Sequence, residues 1–130
     1  MDTRNINIIT LAYMGDAVYE VYIRKALIEK NIALVDDLQK VAVNYVSAKS
    51  QSRILNLLID KNIFTLEEMD IVKRGRNYKR ASHPKNTDIL TYKNSTGFEA
   101  LIGYLYLSNN KERLDEIMNI VLEESYEKNS

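Results

Sequence analysis

There is no cysteine in this 130-residue chain, and only one histidine, His83, and one proline, Pro84. Without cysteine there is no disulfide, no thiolate nucleophile and no thiolate ligand, and a cytoplasmic location is the expectation. A single histidine excludes nearly every remaining zinc site. No apolar run approaches the roughly 20 residues that cross a bilayer, so no membrane association is expected. The opening MDTRNINIIT lacks a basic region followed by an apolar one, and no signal peptide is read in it. Alternating apolar runs bounded by turn dipeptides are missing as well, so no strand is predicted.

What is present is helical periodicity and an uneven distribution of charge. Apolar residues make up 45% and charged residues 28%, ordinary for a globular protein, and the length fits one domain over residues 1–130. Net charge is zero, yet residues 73 to 93, KRGRNYKRASHPKNTDILTYK, hold seven basic side chains against the single acid Asp88. That segment carries +6 and the remainder −6, which points to a polyanion partner at one place.

The periodicity predicts an all-α chain. A first helix is expected from about Asn5 to Glu29, and a second after Val35, capped by Asp36 or Asp37. Ser47 fits the N-cap of a third. Thr65-Leu66-Glu67-Glu68 has capping-box spacing and opens a fourth that ends near Gly75. The segment from Arg74 to Tyr92 reads as a loop, with one short turn after Asn86. Ser95 or Thr96 then starts the apolar helix GFEALIGYLYL, and a last helix runs from Lys111 to about Tyr126, with frayed final residues.

Two carboxylates interrupt these apolar helices. In TLAYMGDAVYEVYIRKAL, Asp16 stands between Gly15 and Ala17; in STGFEALIGYLYL, Glu99 is followed four residues on by Gly103. Glycine costs a helix roughly 1 kcal/mol against alanine, whereas small residues beside an acid let a backbone or ligand approach. Neither acid has a cation at four-residue spacing on its own helix, so burial near a core would be expensive. Coordination of a hard divalent cation such as Mg²⁺ would relieve that expense, and two such acids on packed helices suit metal-assisted phosphodiester hydrolysis. The competing reading is two solvent-facing acids with glycines that serve only packing.

The basic segment interleaves its cations with Asn77, Tyr78, Ser82, Asn86, Thr87 and Tyr92, a mixture suited to phosphate and sugar oxygens. Duplex RNA, gripped by shape, phosphates and 2′-hydroxyls, fits that chemistry; a solvated charge run is the bland alternative. Lys49 and Arg53 extend the basic face or are simply solvated. His83 is read as a surface residue or a phosphate contact, and the tyrosines Tyr13, Tyr19, Tyr22, Tyr104 and Tyr106 as core or interface packing.

LAYMGDAVYE (11 to 20) resembles the signature of ribonuclease III domains, and FEALIGYLYL their second acidic motif. SAKSQ (47 to 51), KRGRN (73 to 77), PKNTD (84 to 88) and TY…ST.FEAL.GYL (91 to 105) narrow the resemblance to Mini-ribonuclease III, the short branch without a separate double-stranded-RNA-binding domain. The resemblance implies an all-helical homodimer whose two active sites each cut one strand of an RNA duplex with Mg²⁺, or with Mn²⁺ in its place. It places the catalytic and metal-binding acids on Asp16 and Glu99, with 5′-phosphate products. It also implies maturation of both ends of the 23S ribosomal RNA precursor within a double-stranded stem, with a ribosomal protein or the assembling large subunit as a further partner.

With no residues left over for a second RNA-binding domain, more of the grip is expected from the basic segment. The RNA contacts are assigned to Lys49, Arg74, Arg76, Asn77, Lys79, Arg80, Lys85 and Asn86, and Glu20 is a weaker candidate for a supporting acid or dimer contact. Full-length ribonuclease III typically has a glutamate four residues before the first acid and an aspartate three before the second. Here those positions are Ala12 and Thr96, which leaves more of the metal shell to water and RNA phosphate. Two rivals remain: a non-catalytic double-stranded-RNA-binding module of the same fold acting in ribosome assembly, and a helical protein-interaction domain.

Overall fold

Among the described residues, six α-helices follow a 3-10 turn at Thr3–Asn5: α1 (Ile8–Glu29), α2 (Val35–Val46), α3 (Ala48–Asp60), α4 (Leu66–Arg76), α5 (Ile89–Leu107) and α6 (Lys111–Asn129). This computed structural model describes residues 1–30, 35–79 and 88–129, with side chains as far as Glu124. No strand occurs among the described residues.

The helix ends follow from local chemistry. Asn7 caps α1 by accepting from the Ile9 N–H at 2.8 Å. Ser47 caps α3 by accepting from the Ser50 N–H. At α4 both halves of the capping box form: Thr65 Oγ1 accepts from the Glu68 N–H, and Glu68 accepts from the Thr65 N–H at 2.9 Å. Both α3 and α5 stop at an asparagine in the left-handed region, Asn62 (φ 57°) and Asn109 (φ 58°). In each case the next N–H reaches back to a carbonyl of the last turn, Ile63 to Leu58 at 3.1 Å and Asn110 to Leu105 at 3.0 Å.

Four boundaries differ from expectation, the first being the start of α1, which lies at Ile8 and not near Asn5. Val35 is already helical, so Asp36 and Asp37 lie in the first turn of α2, where their charge suits the N-terminal dipole, and neither is its cap. The last helix continues to Asn129, past the end expected near Tyr126. The largest difference is α5, which starts at Ile89 and not at Ser95 or Thr96. Asp88 caps it, accepting from the Thr91 N–H at 2.8 Å and from the Thr91 hydroxyl at 2.7 Å. The polar run Asn94-Ser95-Thr96, where the helix is expected only to begin, is buried inside it.

Helix α5 is the axle of the domain, packing on α1 most extensively and then on α4, α3 and α6. Eleven of its nineteen residues are buried, so it is enclosed nearly all round, unlike a surface helix with one apolar stripe. The core gathers Leu11, Tyr19, Ile23 and Leu27 of α1, Ile54, Leu55 and Leu58 of α3, Phe98, Leu101 and Ile102 of α5, and Leu114, Ile117 and Met118 of α6.

Candidate active site

Where α1 crosses α5, the two backbones touch. A Cβ placed on Gly15 would sit 1.7 Å from the Glu99 carbonyl oxygen, and one on Gly103 would sit 1.9 Å from the Leu11 carbonyl oxygen. Only glycine fits at either position. The crossing therefore sets the backbone of Glu99 directly against residue 15, one step along the chain from Asp16. Below it, Tyr19 and Phe98 pack edge to face, their ring centroids 5.4 Å apart. The Tyr19 hydroxyl donates to the Tyr45 carbonyl at 2.9 Å. Burial, the nearby Tyr45 hydroxyl and the Glu99 carboxylate hold its pKa well above the usual tyrosine value, against the opposing pull of Arg53.

The two acids have unlike surroundings. Asp16 is exposed, so the burial penalty expected for it does not arise. Glu99 is half-buried and accepts from Gln51 Nε2 at 3.4 Å. Glu20, the weaker candidate, is half-buried and pairs with Arg24 one turn on, at 3.4 Å. Ala12 is buried, and the Thr96 hydroxyl donates to the Tyr92 carbonyl of its own helix at 3.0 Å. Neither residue therefore supplies an oxygen in place of the acids that full-length ribonuclease III carries. No group of three or more histidine, cysteine or acidic side chains placed to hold a metal ion occurs among the described residues. An exposed and a half-buried carboxylate would make a hard, sparse donor set, of the kind that suits Mg²⁺, an ion that keeps several waters and takes one or two carboxylates plus substrate phosphate.

Around Glu99 lies a polar layer that sequence periodicity misses. Gln51 is only 1% exposed, and its Oε1 accepts from Ser95 Oγ at 2.7 Å. Next to it, Asn94 Nδ2 donates to Ser52 Oγ at 3.0 Å. A signal was available: Gln51 falls on the buried stripe of α3 with Leu55 and Leu58, where a polar side chain requires a partner.

The expected RNA contacts are spread over several elements. Lys49 is exposed in the first turn of α3. Arg74 is exposed and Arg76 half-buried in the last turn of α4; Asn77 is its C-cap, and Lys79 follows, exposed. Arg80, Lys85 and Asn86, with His83, lie outside the described residues. The segment 73 to 93 is not one loop, because helix occupies it up to Arg76 and again from Ile89. The α4 crossing is also built on glycine: Gly75 faces Gly97, and the Arg76 stem lies over Gly97, whose Cβ would come 2.8 Å from Arg76 Cγ.

Comparison with known proteins identifies the arrangement. The ribonuclease III domain model matches residues 9–110, which include both acids and the crossing between them. Mini-ribonuclease 3 of Streptococcus pneumoniae is 44% identical over 92% of this chain and 93% of its own length. The chain belongs to the Mini-ribonuclease 3 family. The family's Staphylococcus aureus member is 46% identical over 90% of the chain and 87% of its own length. Among solved structures, a Fusobacterium nucleatum protein superposes with a TM-score of 0.81 at 34% identity, covering 94% of this chain and 96% of its own. The all-α ribonuclease III fold expected from the sequence is the one found.

Proposed function

We propose that this ribonuclease III-type endoribonuclease cleaves both strands of double-stranded RNA as a Mg²⁺-dependent homodimer, with Asp16 and Glu99 holding the metal in each active site. The observation that carries the reading is the closed α1–α5 crossing, which sets the Glu99 backbone against the residue beside Asp16. Bound Mg²⁺ would polarise the scissile phosphate and lower the pKa of an attacking water, giving a 5′-phosphate and a 3′-hydroxyl. The chain's part is to hold the carboxylates ready, and to grip the duplex with Lys49, Arg74, Arg76, Asn77, Lys79, Arg80, Lys85 and Asn86. Phosphate contacts of this kind make binding strongly salt-dependent.

Dimerisation draws support from an exposed apolar stripe on α1: Tyr13 is 79% exposed, Val21 64% and Ile28 61%. These lie on one side of the helix, flanking the buried stripe of Leu11, Gly15 and Val18. A two-fold pair of sites also matches the two antiparallel strands of a duplex. The family resemblance extends the proposal to the double-stranded stem of the 23S ribosomal RNA precursor as cellular substrate, in a cytoplasmic setting with the assembling large subunit.

The test is cleavage of a long, perfectly paired RNA with Mg²⁺ by the wild type, Asp16→Asn and Glu99→Gln, each checked for folding and duplex binding. Both variants should bind and fail to cut. A wild type that binds duplex but cuts nothing with Mg²⁺ or Mn²⁺, even on a ribosomal precursor stem, would leave a binding module in place of an enzyme. Light scattering on Val21→Asp should show a monomer if the α1 stripe is the dimer contact.

A further inference from the structure

We infer that Gln51 is a positioning residue for Glu99, and that Ser95 in turn positions Gln51. The inference rests on the reading of Glu99 as a metal-binding acid and adds what holds that acid in place. Gln51 sits in the α3–α5 interface, 1% exposed, and its amide bridges two positions one turn apart on α5: Oε1 accepts from Ser95 Oγ at 2.7 Å, and Nε2 donates to Glu99 Oε2 at 3.4 Å. The second N–H of the amide reaches the Val46 carbonyl at 3.3 Å, where α2 ends.

The direction of each bond follows from chemistry. An ionised carboxylate only accepts, so the nitrogen end of the amide must face Glu99. The oxygen end then faces Ser95, whose hydroxyl must donate. Both amide hydrogens and the amide oxygen are engaged, so the group has no low-energy alternative orientation. Glutamate at position 51 would keep the bond from Ser95 but set two acceptors against each other. Leucine would leave Ser95 and the Val46 carbonyl unpaired.

Ser95 at 2.7 Å and the Val46 carbonyl at 3.3 Å fix Gln51 to the scaffold, so that its amide presents a set donor to Glu99. In a site whose other two family acid positions are Ala12 and Thr96, the aim of each remaining carboxylate counts for more. Partners that orient metal ligands typically change metal affinity or activity by roughly 10- to 100-fold when removed.

The experiment uses the intact chain with Gln51→Leu, Ser95→Ala and Glu99→Gln. Mn²⁺ binding without RNA is followed by water-proton relaxation; kcat, KM for a long duplex and the half-saturating Mg²⁺ concentration are measured beside it, and circular dichroism reports folding. Gln51→Leu should weaken Mn²⁺ binding by about 10- to 100-fold and raise the half-saturating Mg²⁺ to match. KM for the duplex should stay within about twofold at saturating Mg²⁺, and excess Mg²⁺ should recover part of the rate, which no purely structural role predicts. Ser95→Ala should move the same quantities in the same direction by a smaller factor, and it decides alone if Gln51→Leu does not fold. A folded Gln51→Leu or Ser95→Ala with wild-type Mn²⁺ affinity and Mg²⁺ dependence, beside a Glu99→Gln that has lost both, overturns the inference and leaves the role of Glu99 standing. A Glu99→Gln that binds Mn²⁺ and cuts like the wild type overturns the reading of Glu99, and the positioning role with it.

Discussion

The chain has four glycines, and all four are spent where another helix crosses α5. The two crossings differ in tightness. Between α1 and α5, a Cβ on Gly15 or Gly103 would lie 1.7 Å or 1.9 Å from a backbone carbonyl oxygen, and each glycine's Cα–H points at that oxygen. Between α4 and α5, the nearest atoms to a Cβ on Gly75 or Gly97 are 2.7 Å and 2.6 Å away, and a flexible one, Arg76 Cγ, is among the neighbours of Gly97. The tight crossing carries the two acids and the looser one carries the basic end of α4. That division suits the proposed metal binding and RNA grip. Metal ligands must be held to about half an ångström, whereas a grip on phosphates works through long, adaptable side chains.

Filling the tight crossing should do the most damage. Gly103→Ala or Gly15→Ala drives a methyl into backbone on both helices, so neither side can yield by turning a side chain. Such overpacking should destabilise by more than ~3 kcal/mol and abolish cleavage, read by urea unfolding and duplex cutting. A stable, active Gly103→Ala would mean that α1 can lift from α5 without disturbing the acids. The looser crossing should tolerate more. Gly97→Ala should still destabilise by about 2–3 kcal/mol, because its methyl would meet the Val72 carbonyl oxygen at 2.6 Å as well as the Arg76 stem, but the domain should remain folded. Its KM for duplex should rise roughly 3- to 10-fold while kcat holds, a factor of ten being about 1.4 kcal/mol.

The same contrast shows what the sequence reveals. Gly15 beside Asp16, and Gly103 one turn beyond Glu99, single out the acid-bearing crossing because a glycine inside an apolar helix demands a reason. Gly75 reads instead as a helix end, and it lies within α4 one residue before that end. Helix α5 is misjudged at its start because Asn94, Ser95 and Thr96 have the local composition of a loop. Their partners, Ser52, Gln51 and the Tyr92 carbonyl, come from a different helix or the preceding turn, and the partners on α3 are more than forty residues away in sequence. Tertiary pairing overrides propensity there. The acids stand out because each breaks an apolar pattern. Gln51 goes unremarked because it stands next to Lys49, Ser50 and Ser52, where one more polar residue attracts no notice.

Acid should affect the two arms unequally, because they are anchored to the rest of the domain by different means. The α1 crossing is backbone against backbone, with apolar packing around it. Helix α4 is also tied to α6 by an ion pair, with Arg113 donating to both Glu68 oxygens, Nε at 2.7 Å and Nη2 at 2.8 Å. Burial alone would raise the Glu68 pKa, but the Arg113 fork and the Thr65 N–H outweigh it and leave it below the ordinary 4.5. Glu67 beside it is lowered as well, first by the Tyr104 hydroxyl and then by Arg4. A carboxylate whose folded pKa is depressed contributes stability that is complete above its unfolded value and lost as pH falls through the folded one. Acid should therefore loosen α4 before it loosens the α1–α5 crossing. Between pH 5 and 3 the amide protection factors, referred to the intrinsic exchange rate at each pH, should fall in α4 while those around Leu11 and Leu101 hold. Glu68→Gln should already be weakened at neutral pH and should lose less stability than the wild type on acidification. If both arms loosened together, α5 would be transmitting the change, and the grip on RNA and the spacing of the acids could not be varied independently.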